Sequence, residues 1–355
     1  MIFRIGNQEI GSGHRPYIVA ELSANHGGEI DQALEIMTAA AEAGADAIKL
    51  QTYTADTMTI DHHGPGFDIE GGLWNGRSLY ELYEEAHTPW EWHDALFAHG
   101  RSLGIDVFST PFDASSVDFL ETFNPPVYKI ASFECTDLPL IKRVAKTGKP
   151  MIISTGMANR GEIGEAVTTA LENGAGGICL LHCVSAYPAP ASEYNLRTMT
   201  ELSNTYSVVS GLSDHTLGTD ISIAATALGA SLIEKHVTNR RSDGGPDAAF
   251  SLEPEELRRM VEGCHQAFEA LGAPSFMRQD SEQGNAQFRR SIYVVADVAN
   301  GEELTELNIR CIRPGFGLAP KCYPDALGQK ATRALKRGEP LDGSAVLWRH
   351  GVPPE

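Results

Sequence analysis

The feature that most constrains the fold of this chain is a regular alternation of short apolar runs with longer segments of helical periodicity. The apolar runs are YIVAEL (17–22), AIKLQT (47–52), IDVFST (105–110), VYKIAS (127–132), MIISTG (151–156), ICLLHC (178–183), YSVVSGLS (206–213) and SLIEKH (231–236). Segments with apolar residues three and four positions apart lie at 31–45, 89–104, 137–148, 161–174 and 253–272. Eight strands that are each followed by a helix predict an α/β fold, the (β/α)8 TIM barrel.

The barrel does not account for the whole chain. We expect the TIM-barrel domain to cover residues 1–271, with a β-hairpin over 3–16 that caps the bottom of the barrel. The polar stretch 272–286, rich in Gln, Ser and Asp, predicts a linker. Over residues 287–355 the helical periodicity is gone, and short β-like runs alternate with glycine turns. The sequence therefore predicts a small C-terminal β-rich domain.

Charge and hydropathy exclude several classes of function. The net charge of −19 argues against binding to nucleic acid or to an anionic membrane surface. No stretch approaches the roughly 20 apolar residues of a membrane span, and the N-terminus lacks the apolar core of a signal peptide. Six cysteines without a CxxC pair fit a reducing compartment, so we expect a cytoplasmic protein.

Polar and charged residues stand at the end of every predicted strand. They include Glu21, Lys49, Gln51, Thr110, Lys129, Ser154, His182, Ser213, His215, Glu234 and His236. In a TIM barrel the strand C-termini converge on one face, where active sites lie. Buried charge is costly unless it is paired or bound to a ligand. This distribution indicates a functional site at the barrel mouth.

Two histidines end neighbouring strands, His215 in GLSDHTLG and His236 in SLIEKH. Both can point over the barrel mouth, with the carboxylates of Glu234 and Asp247 close in sequence to His236. Two imidazoles with nearby carboxylates suit a divalent ion such as Mn²⁺, Co²⁺ or Zn²⁺. The alternative is that each histidine is a hydrogen-bonded pocket residue.

Two lysines are embedded in apolar strands, Lys49 in AIKLQ and Lys129 in VYKIA. A lysine in a barrel strand needs an anionic partner, from the protein or from a ligand. Hydroxyl residues surround them in the predicted barrel: Thr110, Ser132, Ser154 and Ser213. Together they predict a donor-rich cradle for a phosphate or carboxylate. The alternative is structural pairing of the lysines with Glu21 or Glu134. A thiol nucleophile at Cys183 is disfavoured, since no cationic activator is evident from the sequence.

Motifs along nearly the whole barrel resemble the sialic acid synthase family. They are AELSANHGG, DAIKLQTYTADTMTI, FSTPFD, YKIASFE, ISTGM, SAYPAP, GLSDHTLG, EKH and GPDAAFSLEP. The tail FRRSIYVVADVANGEELTELNIRCIRPGFG resembles that family's C-terminal antifreeze-protein-like (SAF) domain. The resemblance implies an enzyme that condenses phosphoenolpyruvate with an open-chain acetamido sugar to a nine-carbon 2-keto acid and releases phosphate.

The resemblance also implies roles for individual residues. His215 and His236 match two ligands of a divalent metal, Mn²⁺ first, with Co²⁺ or Mg²⁺ as other candidates. The residues that match catalytic and phosphoenolpyruvate-binding positions are Glu21, Lys49, Lys129, Glu134, Thr110, Ser132, Ser154 and Ser213. Gln51, Tyr187 and Asp247 would face the sugar. Ser185 stands where the neuraminate branch tends to carry Asn, which weakens its match to a phosphate contact but fits the pseudaminate branch.

Two further expectations follow from the same resemblance. LWNGRSLYELYEEAHTPWEWH and KLQTYTADTMTI resemble the pseudaminate branch, and Trp74 and Tyr80 would then face a 6-deoxy diacetamido sugar. Arg313 in IRPGFG matches an arginine donated across a domain-swapped homodimer. The alternatives are a neuraminate or legionaminate synthase, a metal-dependent pyruvate aldolase without phosphate release, and a non-catalytic sugar-binding barrel.

Overall fold

A closed barrel of eight parallel strands forms the first part of the chain, as the alternation of apolar runs predicts. The structure is a computed structural model and describes residues 1–349. The barrel strands follow a two-stranded hairpin, β1 (Ile2–Ile5) and β2 (Gln8–Gly11). They are β3 (Tyr17–Glu21), β4 (Ala47–Thr52), β5 (Asp106–Pro111), β6 (Tyr128–Ile130), β7 (Met151–Ser154), β8 (Ile178–Cys183), β9 (Val209–Asp214) and β10 (Leu232–His236). β10 pairs with β3 and closes the barrel. The predicted fold class is confirmed.

Helices connect the strands and cover the outside of the barrel. They are α1 (Ile30–Glu42), α2 (Ala55–Met58), α3 (Leu79–Ala86), α4 (His93–Leu103), α5 (Ala114–Glu121), α6 (Leu138–Ala145), α7 (Arg160–Glu172), α8 (Thr198–Tyr206), α9 (Asp220–Ala227) and α10 (Pro254–Leu271). Local signals set their ends: the Asp113 side chain accepts N–H bonds at the start of α5. Gly104 ends α4 with φ of 74°, a left-handed conformation that glycine adopts without strain. No helix among the described residues is long and apolar enough to cross a membrane.

The inside of the barrel is divided into an apolar lower half and a polar mouth. Tyr17, Val19, Ala47, Phe108, Val127, Ile152, Cys179, Leu181, Val209 and Leu232 form the buried inner cluster. Phe3, Ile5 and Ile10 of the hairpin belong to the same cluster, so the hairpin caps the bottom of the barrel. A second, larger core lies between the strands and the helices. Polar residues above the inner cluster therefore stand on a buried, apolar base.

The chain separates after Gly272 into a second compact unit with a core of its own. Its strands are β11 (Ser291–Val294), β12 (Ile309–Ile312), β13 (Lys330–Ala331) and β14 (Val346–Leu347), with the short helix α11 (Tyr323–Ala326). β11 pairs with β12 and β13 with β14, both antiparallel. A 3-10 helix over Asp280–Phe288 includes the last part of the predicted linker.

Candidate active site

The polar residues of the barrel mouth share the inward face of their strands because side chains alternate along a strand. Each stands two or four positions after a residue of the apolar inner cluster. The inward polar set is Glu21, Lys49, Gln51, Thr110, Lys129, Ser154, Ser213, Glu234 and His236. The parallel register pairs His236 with Glu21 and Glu21 with Lys49, so these three side chains lie at similar height.

Two lysines and two glutamates form a buried group of charges. Lys49 Nζ lies 2.7 Å from Glu21 Oε2, 3.6 Å from Glu234 Oε1 and 3.2 Å from Thr110 Oγ1. Lys129 Nζ lies 3.4 Å from the same Glu234 oxygen. All four charged side chains are at most 5% exposed. Structural pairing of Lys49 with Glu21, the alternative to a ligand cradle, is present. Glu234 is the second partner, which sequence reasoning did not assign.

The two carboxyl groups have opposite pKa shifts. Burial raises the pKa of Glu21, an effect that the nearby Lys49 ammonium only partly offsets. Burial also acts to raise the pKa of Glu234, but the ammonium groups of Lys129 and Lys49 outweigh it and lower that pKa. Burial lowers the pKa of Lys129 despite the attraction of Glu234. Glu234 is therefore the fixed anion of the group, and Glu21 is the carboxyl group closer to carrying a proton.

The histidine rings of His215 and His236 lie side by side at the mouth, with ring centroids 5.4 Å apart. His215 Nδ1 lies 2.9 Å from the carbonyl oxygen of Val184. An N–H at Nδ1 can donate to that carbonyl, which leaves the lone pair of Nε2 for a ligand. His236 Nδ1 is buried without a hydrogen-bond partner in the described part of the chain, 3.8 Å from Asp247 Oδ2.

The chemistry of the histidine pair fits a divalent cation bound by two protein ligands. Burial lowers the pKa of His236 well below its usual value, and a neutral imidazole is the form that binds metal. Within residues 1–349 no group of three or more His, Cys, Asp and Glu side chains is arranged to hold a metal. Two imidazoles leave the other coordination positions to water and substrate, an arrangement suited to catalysis rather than to structure.

Cys183 lies beside this pair, with its Sγ 3.8 Å from His215 Nδ1. Burial acts to raise the pKa of the thiol, but His215 and the other neighbours outweigh it and lower that pKa. Sequence reasoning found no cationic neighbour for this thiol, and the structure corrects that point. Burial acts to lower the pKa of His215, but Cys183 and the carbonyl of Val184 outweigh it and raise that pKa. The predicted ligand role of His215 uses the ring's other nitrogen, which must give up its proton to bind a metal.

Gln51, Ser23 and Asp247 form a hydrogen-bonded chain on one side of the mouth. Gln51 Nε2 donates to Glu21 Oε1 at 2.8 Å and to Ser23 Oγ at 3.0 Å. The Ser23 hydroxyl donates in turn to the Asp247 carboxylate. The Tyr187 ring lies 4.4 Å from the His215 ring, between centroids. The three residues predicted to face a sugar thus stand around the histidine pair, and Ser23 joins two of them.

Serine hydroxyls line the opposite side. Ser132 Oγ accepts the N–H of Gly156 at 3.2 Å. A Cβ atom at Gly156 would lie 2.2 Å from Ser185 Oγ and 2.8 Å from Ser132 Oγ, so any side chain there would displace both hydroxyls. Ser154 Oγ is buried without a hydrogen-bond partner among the described residues. A buried hydroxyl without a partner is a donor that an anionic ligand can use. Ser213 Oγ lies 3.3 Å from Glu234 Oε1.

Glu134 forms no ion pair in the described part of the chain, and Arg313 belongs to the second unit. Glu134 is half-buried after β6, and burial raises its pKa to about 7. Its Oε2 has no hydrogen-bond partner in the described part of the chain. Arg313 is exposed in the second unit, at the end of β12. The structure describes each unit by itself, so the role of Arg313 stays a prediction.

The long connection after β4 brings one of its two predicted aromatic residues to the mouth. Trp74 Nε1 donates to the carbonyl oxygen of Pro246 at 3.0 Å, and its ring lies 5.9 Å from the Tyr187 ring, between centroids. Tyr80 instead donates to Asp56 at 3.2 Å, on α2 of the same connection. Trp74 therefore extends the aromatic surface that Tyr187 begins, whereas Tyr80 holds the connection together.

Comparison with known proteins gives the class to which the fold and site belong. The model of the NeuB family matches residues 36–275, and the model of the SAF domain matches residues 289–347. The chain therefore belongs to the NeuB family. It is 45% identical over 333 residues to the pseudaminic acid synthase of Helicobacter pylori, covering 93% of this chain and 98% of that protein.

Two other relatives place this similarity in context. The N,N'-diacetyllegionaminic acid synthase of Campylobacter jejuni is 37% identical, over 91% of this chain and 97% of that protein. The crystal structure of the N-acetylneuraminic acid synthetase of Leptospira borgpetersenii, in complex with citrate, matches with a TM-score of 0.72 and 32% identity. That match covers 81% of this chain and 96% of the other. The fold is thus shared with that synthetase over the matched part of the chain.

Proposed function

We propose that this protein is a pseudaminic acid synthase. It would condense phosphoenolpyruvate with 2,4-diacetamido-2,4,6-trideoxy-L-altrose and water, giving a nine-carbon nonulosonic acid and inorganic phosphate. The observation that supports this most is the meeting of two buried lysines, the Ser154 hydroxyl without a partner among the described residues, and two histidines in one barrel mouth. The identity of 45% to a pseudaminic acid synthase, against 37% to a legionaminic acid synthase, favours this branch.

The lysines and serines would bind phosphoenolpyruvate. Lys49 and Lys129 supply two cations to the phosphate and carboxylate groups, and the Ser154 hydroxyl supplies a donor that no described residue uses. Charge-assisted hydrogen bonds of this kind are short and strong in a buried site. Held there, the enol C3 attacks the sugar aldehyde carbon, water adds at C2, and the C2–O bond to phosphate breaks.

Proton transfer would fall to Glu21 and Glu134, the glutamates of the site whose pKa is raised. Burial brings the pKa of Glu134 to about 7, so the group can give or take a proton at neutral pH. Burial also raises the pKa of Glu21, which lies next to Gln51 on the predicted sugar side. The aldehyde oxygen needs a proton as the new C–C bond forms, and the water that adds at C2 must lose one.

His215 and His236 would hold a divalent cation, Mn²⁺ first, with Co²⁺ or Mg²⁺ as alternatives. Such a cation, when bound, supplies Lewis-acid polarisation of the sugar aldehyde. Gln51, Tyr187 and Asp247 orient the sugar beside it. Asp247 is kept in place by the hydroxyl of Ser23, and His215 by the carbonyl of Val184.

The working form would be a homodimer in which Arg313 completes the site of the partner subunit. Arg313 is exposed beside the turn at Pro314 and Gly315, from which a planar guanidinium can reach oxygen atoms of a sugar. Cys135, Cys179, Cys183 and Cys264 are buried and form no disulfide, which fits a reducing cytoplasm.

Phosphate release tests the proposal directly. The purified chain is incubated with phosphoenolpyruvate, Mn²⁺ and one sugar at a time: the altrose-type diacetamido sugar, N-acetylmannosamine, or the diacetamido precursor of legionaminic acid. We expect phosphate release with the altrose-type sugar to have the highest kcat/KM. A higher kcat/KM for another sugar would move the protein to another branch. No release with any sugar would contradict the synthase assignment.

A further inference from the structure

Glu234 lies at the centre of the buried charges, and the roles proposed above do not use it. Its Oε1 is 3.4 Å from Lys129 Nζ, 3.6 Å from Lys49 Nζ and 3.3 Å from Ser213 Oγ. One carboxylate oxygen is thus shared by groups from β4, β6 and β9. Its second oxygen is buried without a hydrogen-bond partner in the described part of the chain, a cost that a simple structural ion pair would avoid.

The distances distinguish Glu234 from the other glutamate of the group. The 2.7 Å contact between Glu21 and Lys49 has the length of a charge-assisted hydrogen bond. The two contacts of Glu234 with the lysines are well beyond that length. Glu234 therefore balances both ammonium charges without a short hydrogen bond to either, and the N–H donors stay available to another anion. Among the described residues, Glu234 is the only ion-pair partner of Lys129.

We propose that Glu234 is a positioning residue that holds the ammonium groups of Lys49 and Lys129 towards one another, so that both contact a single anionic ligand. The identity of that ligand, phosphoenolpyruvate, rests on the proposed function. Electrostatic repulsion alone predicts the opposite, that Glu234 weakens the binding of an anionic ligand. A carboxylate so close to an anion repels it, and removal of the carboxylate would then strengthen binding.

The variant Glu234→Gln distinguishes positioning of the lysines from repulsion of the ligand, since it keeps the shape of the side chain and removes its charge. If Glu234 positions the lysines, calorimetry should give a dissociation constant of phosphoenolpyruvate that is about 10- to 100-fold higher. A change of this size corresponds to the loss of one charged hydrogen bond. The KM of phosphoenolpyruvate rises with it, while the KM of the sugar changes by less than about threefold.

A double-mutant cycle shows whether Glu234 acts through Lys129. Lys129→Met removes one of the two cations, and the loss of phosphoenolpyruvate binding in the double variant Glu234→Gln/Lys129→Met should then be smaller than the sum of the two single losses, because Glu234 can act only through Lys49. Asp214→Asn is the matched control, because it breaks the fully buried ion pair of Asp214 with Lys235, 3.0 Å apart, on the outward face of the neighbouring strands. It should lower Tm and leave the dissociation constant of phosphoenolpyruvate unchanged.

Three results would overturn the proposal: tighter phosphoenolpyruvate binding by Glu234→Gln, additive losses in the double variant, or equal losses for both substrates together with a lower Tm. Other results would contradict the proposed function. A wild-type protein that binds phosphoenolpyruvate but releases no phosphate with any sugar contradicts the synthase assignment, while the calorimetric comparison still decides the role of Glu234. A wild-type protein that binds neither phosphoenolpyruvate nor inorganic phosphate contradicts both.

Discussion

At the scale of single residues, the candidate site depends on how burial and neighbouring charges set each protonation state. Glu234 lies near two ammonium groups, and its pKa is lowered although it is buried. Glu134 is paired with no cation in the described part of the chain, and burial brings its pKa to about 7. The same residue type is therefore a fixed anion at one position and a group that can exchange protons at the other.

Glu134→Gln should affect stability and activity in opposite directions. The native pKa of about 7 lies above the ordinary 4.5, so protonated Glu134 favours the folded state below pH 4.5. That contribution is lost as pH rises through 7. The variant should therefore gain stability over wild type between pH 4.5 and 8, by about 1–3 kcal/mol in urea unfolding. Its kcat for phosphate release should fall at least about 100-fold. If the free energies of unfolding of the variant and wild type differed by the same amount at pH 4.5 and at pH 8, the raised pKa of Glu134 would be contradicted.

Trp74 should determine which sugar is accepted, since its ring continues the aromatic surface of Tyr187. Trp74→Ala removes apolar surface suited to a 6-deoxy methyl group, and kcat/KM for the altrose-type sugar should fall about 10- to 100-fold. N-Acetylmannosamine, which has a hydroxyl at that carbon, should be affected less. Tyr80→Phe is the control in the same connection and should leave both values unchanged. Equal losses for the two sugars would indicate that Trp74 only supports the loop.

The two histidines should make activity dependent on a divalent cation. Chelation should abolish phosphate release, and added Mn²⁺ or Co²⁺ should restore it. His215→Ala and His236→Ala should each cut turnover severely while the circular dichroism spectrum stays that of wild type. His182→Ala is a useful comparison, because His182 lies on the neighbouring strand and contacts the carbonyl of Tyr194 instead. Full activity after exhaustive chelation would disprove the metal role.

At the scale of strands and helices, much of the fold could be predicted from the sequence. The spacing of apolar residues indicates each strand or helix, and the position of a polar residue along a strand indicates which face it shares. All eight barrel strands overlap the apolar runs, and the strand ends identified Lys49, Lys129 and both histidines. Glu234 was expected only as a carboxylate near the histidines, and its contacts with the two lysines were not predicted, although it stands two positions before His236 and shares its inward face. The partners that fix Ser23 and Gly156 come from distant parts of the chain, and a single sequence does not show which distant groups meet.

The N-terminal hairpin is an element whose contribution can be measured by itself. Ile5 is fully buried in the inner cluster, whereas Ile2 on the same strand is 57% exposed. Ile5→Ala should lower the free energy of unfolding by about 2–5 kcal/mol, because it opens a cavity under the barrel. Ile2→Ala should change it by less than about 0.5 kcal/mol. Neither should alter KM for phosphoenolpyruvate, since the apolar inner cluster separates the hairpin from the mouth. Equal effects of the two variants would mean that the hairpin does not seal the barrel.

At the scale of the whole molecule, the question is whether a site needs two copies of the chain. The barrel mouth of one copy holds the lysines and histidines, and Arg313 belongs to a separate compact unit. If Arg313 acts on the partner's site, Arg313→Ala and Lys129→Ala should each be inactive alone and active when mixed. Each mixed dimer contains one barrel with Lys129 that receives an intact Arg313 from its partner.

The expected yield makes this mixing experiment quantitative. Equal amounts of the two variants, dissociated and reassembled, give half mixed dimers with one intact site in two, or about a quarter of wild-type activity. Arg310→Ala, which alters an exposed arginine on β12 of the same unit, should be fully active alone and serves as the matched control. Sedimentation should show a dimer throughout. If the reassembled mixture stays as inactive as its parents, Arg313 does not act across the dimer, because only an arginine donated between copies can restore a site that neither variant has.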